Sequence, residues 1–369
     1  MKSRKGRFRL ADNRRIIPFG PQHPVLPEPI QLQLVLEDEK VVEAIPGLGY
    51  VHRGLEKLVK TKDINQMIYV VERVCGICSF QHALTYCQGI EDIMDIQVPD
   101  RSRFLRVFWA ELHRIHSHLL WLGLAVEAFG FESLFMHTWR IREKIMDMLD
   151  ATAGSRVIIS TCIIGGVRRD IDSELTKFVL DGLVEVEQDL KKIEKVFLKD
   201  YTVKKRSVGI GVLSGQEAYQ LGAVGPMLRA SGVKQDVRMS GYAAYEEIGF
   251  EPVVEQDGDC YARMAIRFKE TLLSIDLVRK ALTMMPEGEI SIKIIGKPQG
   301  ETLVRTEQPR GELTYYLKAD GTDHLERMHI RTPTFANIPT LLTMLPGSQL
   351  ADVPVIILTI DPCISCTER

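Results

Sequence analysis

Apolar residues recur at helical spacing through most of the chain, and this spacing predicts a helical core. The longest such stretch is Asp100–Gly130, and others follow at Glu132–Ala153, Arg169–Leu198 and Cys260–Met285. Between them, Gly209–Gly258 is punctuated by glycine, which predicts short helices mixed with loops. We therefore expect a bundle in which each long helix buries one apolar stripe.

Short stretches with strand character lie outside the predicted helices. Ile30–Pro46 alternates apolar and polar residues around an acidic turn, which predicts a β-hairpin. Glu289–Ile295 and Glu312–Arg331 are also predicted to be strands, and Val353–Ile360 is a β-branched run that leads directly into Asp361. The predicted fold class is mainly α with small β elements (α+β): a helical bundle, an N-terminal hairpin and a further β element in the C-terminal half.

The length of 369 residues is enough for a large domain with a sizeable core. We expect one integrated domain made of an N-terminal β-hairpin region, residues 1–50, and a helical core, residues 51–369. A content of 45% hydrophobic and 26% charged residues is typical of a soluble globular protein. The formal net charge of −2 gives no electrostatic reason to bind nucleic acid, so we expect no nucleic-acid partner.

No apolar stretch of the sequence is long enough to cross a bilayer, since a span needs about 20 predominantly apolar residues. The best candidate, Leu119–Phe131, is shorter and contains Glu127. The N-terminal segment lacks the apolar centre of a secretory signal peptide, so we expect a reducing compartment. Met1–Arg9 is strongly basic, which suits either a solvated tail or contact with an acidic partner or lipid surface.

The strongest local signals are two Cys-x-x-Cys pairs near opposite ends of the chain, Cys75–Cys78 and Cys363–Cys366. This spacing lets both sulfurs of a pair face one metal. The large separation of the pairs argues against a compact zinc knuckle. Spacing alone leaves open an iron–sulfur cluster, a bimetallic thiolate site, or two unrelated pairs in the core. The remaining Cys87, Cys162 and Cys260 are predicted to be buried small hydrophobes.

The sequence around these pairs resembles the large, catalytic subunits of nickel–iron hydrogenases. The early element is Glu-Arg-Val-Cys-Gly-Ile-Cys-Ser-Phe-Gln-His at Glu72–His82, and the late one is Asp-Pro-Cys-Ile-Ser-Cys-Thr-Glu-Arg at Asp361–Arg369. The resemblance covers essentially the whole chain and implies the energy-converting, membrane-associated branch related to respiratory complex I. Four further segments are similar to that branch: Gly20–Pro24, His52–Glu56, Pro309–Leu313 and Arg331–Phe335.

The resemblance implies a Ni-Fe centre held by the four paired cysteines. Cys75 and Cys363 would be terminal ligands of nickel, while Cys78 and Cys366 would bridge nickel and iron. One carbonyl and two cyanides, supplied by maturation enzymes, would complete the coordination of iron. The implied activity is the reversible reaction H2 = 2H+ + 2e−, by heterolytic cleavage, in anaerobic metabolism.

The resemblance also assigns roles to residues outside the cysteine pairs. Arg310 matches the arginine whose guanidinium overhangs the open coordination position, and Asp361 would hold that arginine or a donor to cyanide. His82 lies four residues after Cys78, so on a helix it would face the same side and could donate to a bridging sulfur; it also fits a satisfied core histidine. Glu28 is the candidate first proton carrier, and as a bare residue it would be an exposed loop glutamate.

Glu56 resembles the glutamate that binds a second, structural metal, such as magnesium, in many relatives. Those relatives often end in histidine, whereas this sequence ends in Arg369. In this family a C-terminal extension is removed at a basic residue three places beyond the last cysteine. Arg369 stands three places beyond Cys366, so the resemblance predicts a processed, mature product.

Three histidines, His113, His116 and His118, share a predicted helix with Glu111. His113 and His116 lie on one face of that helix, as a metal site requires. No cysteine or carboxylate is expected near them, so we interpret them as a polar helix face lining a water path toward a membrane partner.

The implied partners carry the electrons away. Because Cys87, Cys162 and Cys260 lack ferredoxin spacing, the iron–sulfur clusters would lie on a separate small subunit and a further ferredoxin-like subunit. The resemblance implies ferredoxin as redox partner, antiporter-like and other membrane subunits, and a peripheral location at the cytoplasmic face of the cell membrane. Coupled ion translocation would belong to those other chains.

Two other functions stay open at this point. One is a complex I-like or sulfur-reducing redox subunit without hydrogen turnover. In the resembled families the former lacks the four cysteines and the latter has an altered set, whereas all four are present here. The other is a zinc-bound structural scaffold, which metal content distinguishes from the hydrogenase.

Overall fold

The fold is described from a computed structural model covering residues 14–24, 26 and 28–369. The basic segment Met1–Arg9 lies outside these described residues. An N-terminal antiparallel sheet has the order β1-β2-β3, with strands β1 (Arg14–Phe19), β2 (Gln31–Glu37) and β3 (Lys40–Gly47). Strands β2 and β3 form the predicted hairpin, which is confirmed. Strand β1 was not predicted because its sequence, RRIIPF, lacks apolar–polar alternation.

Helices dominate the rest of the described chain, so the predicted mainly α class is confirmed. Several helices begin at side-chain caps: Asp63, Asp172 and Asp259 each accept hydrogen bonds from backbone N–H groups of the following turn. The helices are α1 (Ile64–Glu72), α2 (Ser79–Ile93), α3 (Asp100–Ala128), α4 (Glu132–Ala153), α5 (Ser173–Lys199), α6 (Tyr201–Lys205), α7 (Gly215–Gln220), α8 (Pro226–Arg229), α9 (Tyr245–Ile248), α10 (Cys260–Met284), α11 (Pro333–Met344), α12 (Val353–Thr359) and α13 (Ile364–Glu368).

Helix α3 lies at the centre of the bundle and packs against α4 and α10. Its side chains are buried nearly all round, including Trp109 and Trp121. Helix α5 has a cleaner apolar stripe and begins at Ser173, later than the predicted Arg169, because Asp172 supplies the cap. Within the described residues, none of the helices combines the length and the apolar composition needed to cross a bilayer.

A second antiparallel sheet packs against α2 and is built from β6 (Gln299–Gln308), β7 (Gly311–Asp320) and β8 (Leu325–Arg331). A two-stranded ribbon, β4 (Cys162–Ile163) and β5 (Gly166–Val167), precedes it in the chain. The predicted strands within Glu312–Arg331 are confirmed. The division of the chain near residue 50 stays a prediction.

Two strand-like patterns form something else. The strand predicted at Glu289–Ile295 is wrong: that segment makes a single bridge, between Ser291 and Gly166, because the strand beside it, β5, is only two residues long. The β-branched run Val353–Ile360 forms α12, which starts with Pro354 in its first turn. Most of its side chains are buried, so packing outweighs its β propensity.

Candidate metal centre

The two cysteine pairs meet inside the protein although they come from opposite ends of the chain. The sulfurs of Cys75 and Cys363 lie 3.4 Å apart, and those of Cys78 and Cys366 lie 3.5 Å apart. All four side chains are buried. Since metal–thiolate bonds are about 2.3 Å long, two sulfurs at such a separation can ligate the same metal ion. The geometry therefore favours a shared thiolate site over two unrelated core pairs.

Local backbone structure aims these sulfurs at one point. Cys78 immediately precedes α2 and Cys363 immediately precedes α13, so each pair lies where a loop turns into a helix. The Cys75 sulfur accepts from the N–H of Ile77 at 3.3 Å, and the Cys363 sulfur accepts from the N–H of Cys366 at 3.4 Å. Backbone N–H groups directed at sulfur stabilise negative charge there, as a thiolate ligand requires.

Electrostatics indicates that the four thiols cannot all ionise by themselves. Hydrogen bonds from the Cys363, Cys366 and Cys78 thiols hold the pKa of Cys75 well below its ordinary value. Burial raises the pKa values of Cys78 and Cys366 well above theirs, and neighbouring negative charge adds to that rise. Four thiolates in one buried place require a compensating cation. A soft or borderline metal fits this donor set.

Arg310 brings a fixed positive charge to the same place. Its Nη2 lies 2.9 Å from Asp361 Oδ1, its Nε donates to the Asp361 carbonyl oxygen at 3.0 Å, and its Nη1 donates to Ser117 Oγ at 3.3 Å. Burial alone would lower the pKa of Arg310, but the carboxylate of Asp361 and the nearby thiols raise it well above its ordinary value. The guanidinium is therefore charged and held in one orientation.

A cavity of about 220 Å³ adjoins this arginine and the cysteine site. Apolar side chains form much of its wall, and Trp121 is fixed there by a 2.8 Å hydrogen bond from its ring N–H to the Leu358 carbonyl. The cavity gives a small molecule a place beside Cys363 and the guanidinium. Its lining is Glu28, Ile77, Leu120, Trp121, Leu124, Arg310, Asp361, Pro362 and Cys363.

Glu28 lies on the wall of this cavity instead of in an exposed loop. Its carboxylate accepts hydrogen bonds from the N–H of Ile364, the N–H of Ser365 at 3.0 Å and the hydroxyl of Ser365 at 2.6 Å. These donors form the first turn of α13. The carboxylate is thus tied to the segment that carries Cys363 and Cys366, which the local sequence Leu-Pro-Glu-Pro does not reveal.

His82 is fully buried on α2 and reaches the site with one ring nitrogen. Its Nε2 lies 3.5 Å from the Cys366 sulfur, and its Nδ1 lies 2.7 Å from the Tyr315 hydroxyl on β7. Burial lowers the pKa of His82 to about 4, so the ring is neutral at physiological pH. Sequence reasoning missed Tyr315, because nothing in the chain before folding links β7 to α2.

Glu56 lies beside the C-terminal residue. Its Oε1 accepts from Arg369 Nε at 2.8 Å and from the N–H of Ile330 at 2.9 Å, and its Oε2 lies 3.4 Å from His329 Nδ1. The guanidinium thus supplies the positive charge that a cation would otherwise bring. Among the described residues, the groups spaced to hold a metal are Cys75 with Cys363 and Cys366, and Cys78 with His82 and Cys366.

Replacing Glu56 with glutamine is expected to lower stability slightly at neutral pH and not at acid pH. Burial raises the pKa of Glu56, but the bonds from Arg369 and Ile330 outweigh it and leave the pKa below 4.5. The free energy of folding that the ionised Glu56 contributes is fully present above pH 4.5. It is lost as the pH falls through the pKa of Glu56 in the folded protein. Because the carboxylate is partly exposed, we expect a difference below about 1 kcal/mol in thermal or denaturant unfolding. An equal difference at all pH values would contradict the assignment.

The histidines of α3 require a correction, since carboxylates and the cysteine site are closer than the sequence indicated. All three are fully buried, and His118 Nε2 lies 3.0 Å from Glu270 Oε2. The His116 ring pairs with Arg142. Burial lowers the pKa of His113 to about 4, and the nearby Cys75 opposes that shift. The three histidines therefore form a buried face of α3 that contacts charged groups in the protein interior. Cys87, Cys162 and Cys260 are buried, as predicted.

A buried network of charges supports α3 behind the site and was not predicted. The Glu111 carboxylate accepts from Arg238, Arg114 and Tyr245. Arg229 lies 2.7 Å from Glu307, and burial raises the pKa of Glu307 to about 7. The members of this network come from distant segments, so their pairing could not be predicted from sequence. The one available signal of a buried network was the presence of charged residues inside otherwise apolar helical stripes. The network comprises Glu111, Arg114, His118, Arg229, Asp236, Arg238, Glu270 and Glu307.

Comparison with known proteins finds two related families on adjoining parts of the chain. The family of the respiratory-chain NADH dehydrogenase 49 kDa subunit matches residues 129–295 and 290–369. The family of nickel-dependent hydrogenases matches residues 53–123, which include Cys75 and Cys78.

Individual relatives agree with these matches. Membrane-bound hydrogenase subunit alpha of Pyrococcus furiosus is 41% identical, over 96% of this chain and 87% of that protein. The carbon monoxide-induced hydrogenase of Rhodospirillum rubrum is 40% identical, over 96% of this chain and 99% of that protein. A chain of the archaeal membrane-bound sulfane sulfur reductase superposes with a TM-score of 0.93 at 30% identity, over 98% of this chain and 100% of that one.

The two family matches lie on adjoining parts of a single fold, and the relatives include hydrogenases that align along nearly its full length. The Pyrococcus furiosus subunit and the archaeal sulfane sulfur reductase chain are named as parts of membrane-bound oxidoreductases. The chain belongs to the family of nickel-dependent hydrogenase large subunits and the related 49 kDa subunits of respiratory NADH dehydrogenase.

Proposed function

We propose that this chain is the catalytic subunit of a membrane-associated nickel–iron hydrogenase that interconverts H2 with protons and electrons. The observation that carries this proposal is the convergence of four buried cysteine sulfurs from the two ends of the chain. Complete pairs at both ends supply the thiolates that a dinuclear centre needs. The hydrogenases among its relatives support the same activity.

In this proposal Cys75, Cys78, Cys363 and Cys366 would hold the nickel–iron centre, with the ligand roles and the carbonyl and cyanides that the resemblance implies. The bound centre supplies the redox chemistry and the site at which H2 is cleaved. The close pairs are Cys75 with Cys363 and Cys78 with Cys366, and each joins the two ends of the chain. Retention of the centre is therefore coupled to docking of the C-terminal segment.

Arg310 and Asp361 form the polar wall of the substrate cavity. The guanidinium is fixed by Asp361 and Ser117, so it can polarise a small molecule there without reorienting. The apolar wall, which includes Leu120 and Leu124, excludes water and strengthens this interaction. These residues suit an uncharged diatomic substrate that becomes polarised as it is cleaved.

Glu28 is the proposed first proton carrier, and its replacement by glutamine is expected to slow turnover by about 100-fold. Glutamine can still accept from the Ser365 N–H through its carbonyl oxygen, but it cannot carry a proton. The infrared bands of the centre should stay nearly intact in the same sample.

The matched control for this change is Glu39→Gln, a change of the same type on the exposed turn of the N-terminal hairpin. Hydrogen–deuterium exchange with solvent, measured together with dye-linked turnover, separates proton transfer from electron transfer. Wild-type turnover in Glu28→Gln would assign the relay to another carboxylate.

Electrons would leave through iron–sulfur clusters of a small subunit and a ferredoxin-like subunit, with ferredoxin as the external carrier. The chain itself offers no further cluster ligands of the ferredoxin type among the described residues. Its remaining cysteines are buried and lack ferredoxin spacing: Cys87, Cys162 and Cys260. Antiporter-like membrane subunits and a peripheral position at the cytoplasmic face complete the proposed complex. Association with membrane partners is supported by the names of the relatives.

Infrared spectroscopy of the purified complex, with elemental analysis, tests the proposal. We expect carbonyl and cyanide stretching bands, nickel near one per catalytic chain, iron in excess of nickel because of the iron–sulfur clusters of the partners, and hydrogen turnover. Zinc alone would indicate a structural scaffold. A chain without those bands that reduces sulfur compounds would indicate a sulfur-reducing redox subunit, the activity named for the superposed archaeal complex.

A further inference from the structure

We propose that Tyr315 is a positioning residue that fixes the tautomer of His82 and, through it, a hydrogen bond to the Cys366 sulfur. This inference rests on the proposed function, because it concerns a thiolate that bridges two metals. Three buried groups lie in a row: the hydroxyl of Tyr315 on β7, the imidazole of His82 on α2 and the sulfur of Cys366 on α13.

The distances leave one satisfactory arrangement of protons. A neutral imidazole carries one N–H and one lone pair. If Nδ1 accepts the Tyr315 proton at 2.7 Å, then Nε2 carries its hydrogen toward the sulfur at 3.5 Å. Every polar atom in the row then has a partner, as buried polar atoms generally do.

The opposite tautomer is disfavoured on both sides of the ring. Nδ1 would donate to the tyrosine oxygen, and the hydroxyl proton would be left without an acceptor, because His82 is the one hydrogen-bond partner of this hydroxyl within the described residues. On the other side, the Nε2 lone pair would face the lone pairs of a thiolate. A buried donor without a partner is costly. Tyr315 thus selects the tautomer that donates to Cys366.

The fold keeps this row in register. Helix α2 packs against β6 and β7, and Thr85, three residues beyond His82, forms a hydrogen bond with Thr306 across the same interface at 2.6 Å. The edge of the His82 ring also faces Tyr315, with ring centroids 6.0 Å apart. The tyrosine is therefore held by a paired strand, and the histidine by a helix that begins immediately after Cys78.

A hydrogen bond to sulfur withdraws charge from the metals that the sulfur binds. Removing the Tyr315 hydroxyl takes away the contact that holds the Nδ1 side of the ring, so the ring is no longer fixed and its hydrogen bond to the Cys366 sulfur should weaken. Cys366 should then become a stronger donor to the metals. In Tyr315→Phe we expect the carbonyl and cyanide bands to shift to lower wavenumber and the potential of the centre to become more negative. Metal content should stay at the wild-type level because no ligand is changed.

The experiment uses infrared spectroelectrochemistry on the assembled complex with three comparisons. Tyr316→Phe is the matched control, since it removes the neighbouring hydroxyl on the outer face of β7, which bonds Glu301. In a His82→Gln background, Tyr315→Phe should produce no further shift if the tyrosine acts through the histidine. A merely structural role would give equal effects in both backgrounds.

Unchanged bands in Tyr315→Phe, or a shift that persists fully in the His82→Gln background, would overturn the positioning role. A wild-type complex with no carbonyl or cyanide bands would overturn the proposed function and this inference with it. The two failures are distinguishable because the wild-type spectrum is read first.

Discussion

Replacing Cys363 with serine is expected to abolish both nickel retention and hydrogen turnover in the assembled complex. Cys363 is where the C-terminal segment meets Cys75, at 3.4 Å between sulfurs. A serine hydroxyl is a hard, weakly acidic oxygen and cannot replace a thiolate toward a soft or borderline metal. The serine hydroxyl can still accept from the Cys366 N–H at the start of α13, so the change removes the thiolate and keeps the helix cap. We expect activity below detection.

The measurement is metal content by elemental analysis together with hydrogen turnover of the same preparation. Cys260→Ser is the matched control: Cys260 is equally buried but bonds Arg263 at 3.2 Å, away from the paired cysteines. That variant should keep its nickel and most of its activity. Nickel retained at the wild-type level in Cys363→Ser would remove this residue from the ligand set and would contradict the shared centre.

Arg310→Lys is expected to reduce turnover by at least about 100-fold while leaving the metals in place. An ammonium group keeps the charge but cannot reproduce the fork that spans Asp361 and Ser117. Loss of one fixed donor in an enclosed site costs roughly two orders of magnitude or more in rate. One oxygen of the Asp361 carboxylate, Oδ2, already lacks a hydrogen bond. Losing the contact from Arg310 would therefore leave this buried carboxylate with still fewer partners.

The diagnostic result is a pairing of low turnover with wild-type nickel content and nearly unchanged infrared bands. Arg331→Lys provides the control, because Arg331 is partly exposed and pairs with Glu312 outside the cavity. If Arg310→Lys loses its metals, the arginine serves assembly. If it keeps full activity, the guanidinium does not act on the substrate.

Much of the fold could be predicted from sequence because the apolar patterns of its long helices and of its N-terminal hairpin are local. The hairpin at Ile30–Pro46 and helix α4 (Glu132–Ala153) were predicted closely for that reason. Segments whose structure depends on neighbours were not. Glu289–Ile295 had strand composition, but the strand beside it, β5, is only two residues long. Val353–Ile360 became a buried helix because bundle packing outweighed local preference.

The candidate metal centre was likewise predicted only in part from the sequence. Sequence alone determined which atoms are available: four thiols in two short-spaced pairs, a histidine one helical turn beyond Cys78, and the resemblance that joins them to a family. Spacing could not determine whether the pairs meet, since the separation of residues in a chain does not fix their distance in space. Only the tertiary structure brought Cys75 to Cys363, tied Glu28 to α13 and set Tyr315 behind His82. Such contacts join distant segments through packing of the whole core, and no local pattern in the sequence encodes them.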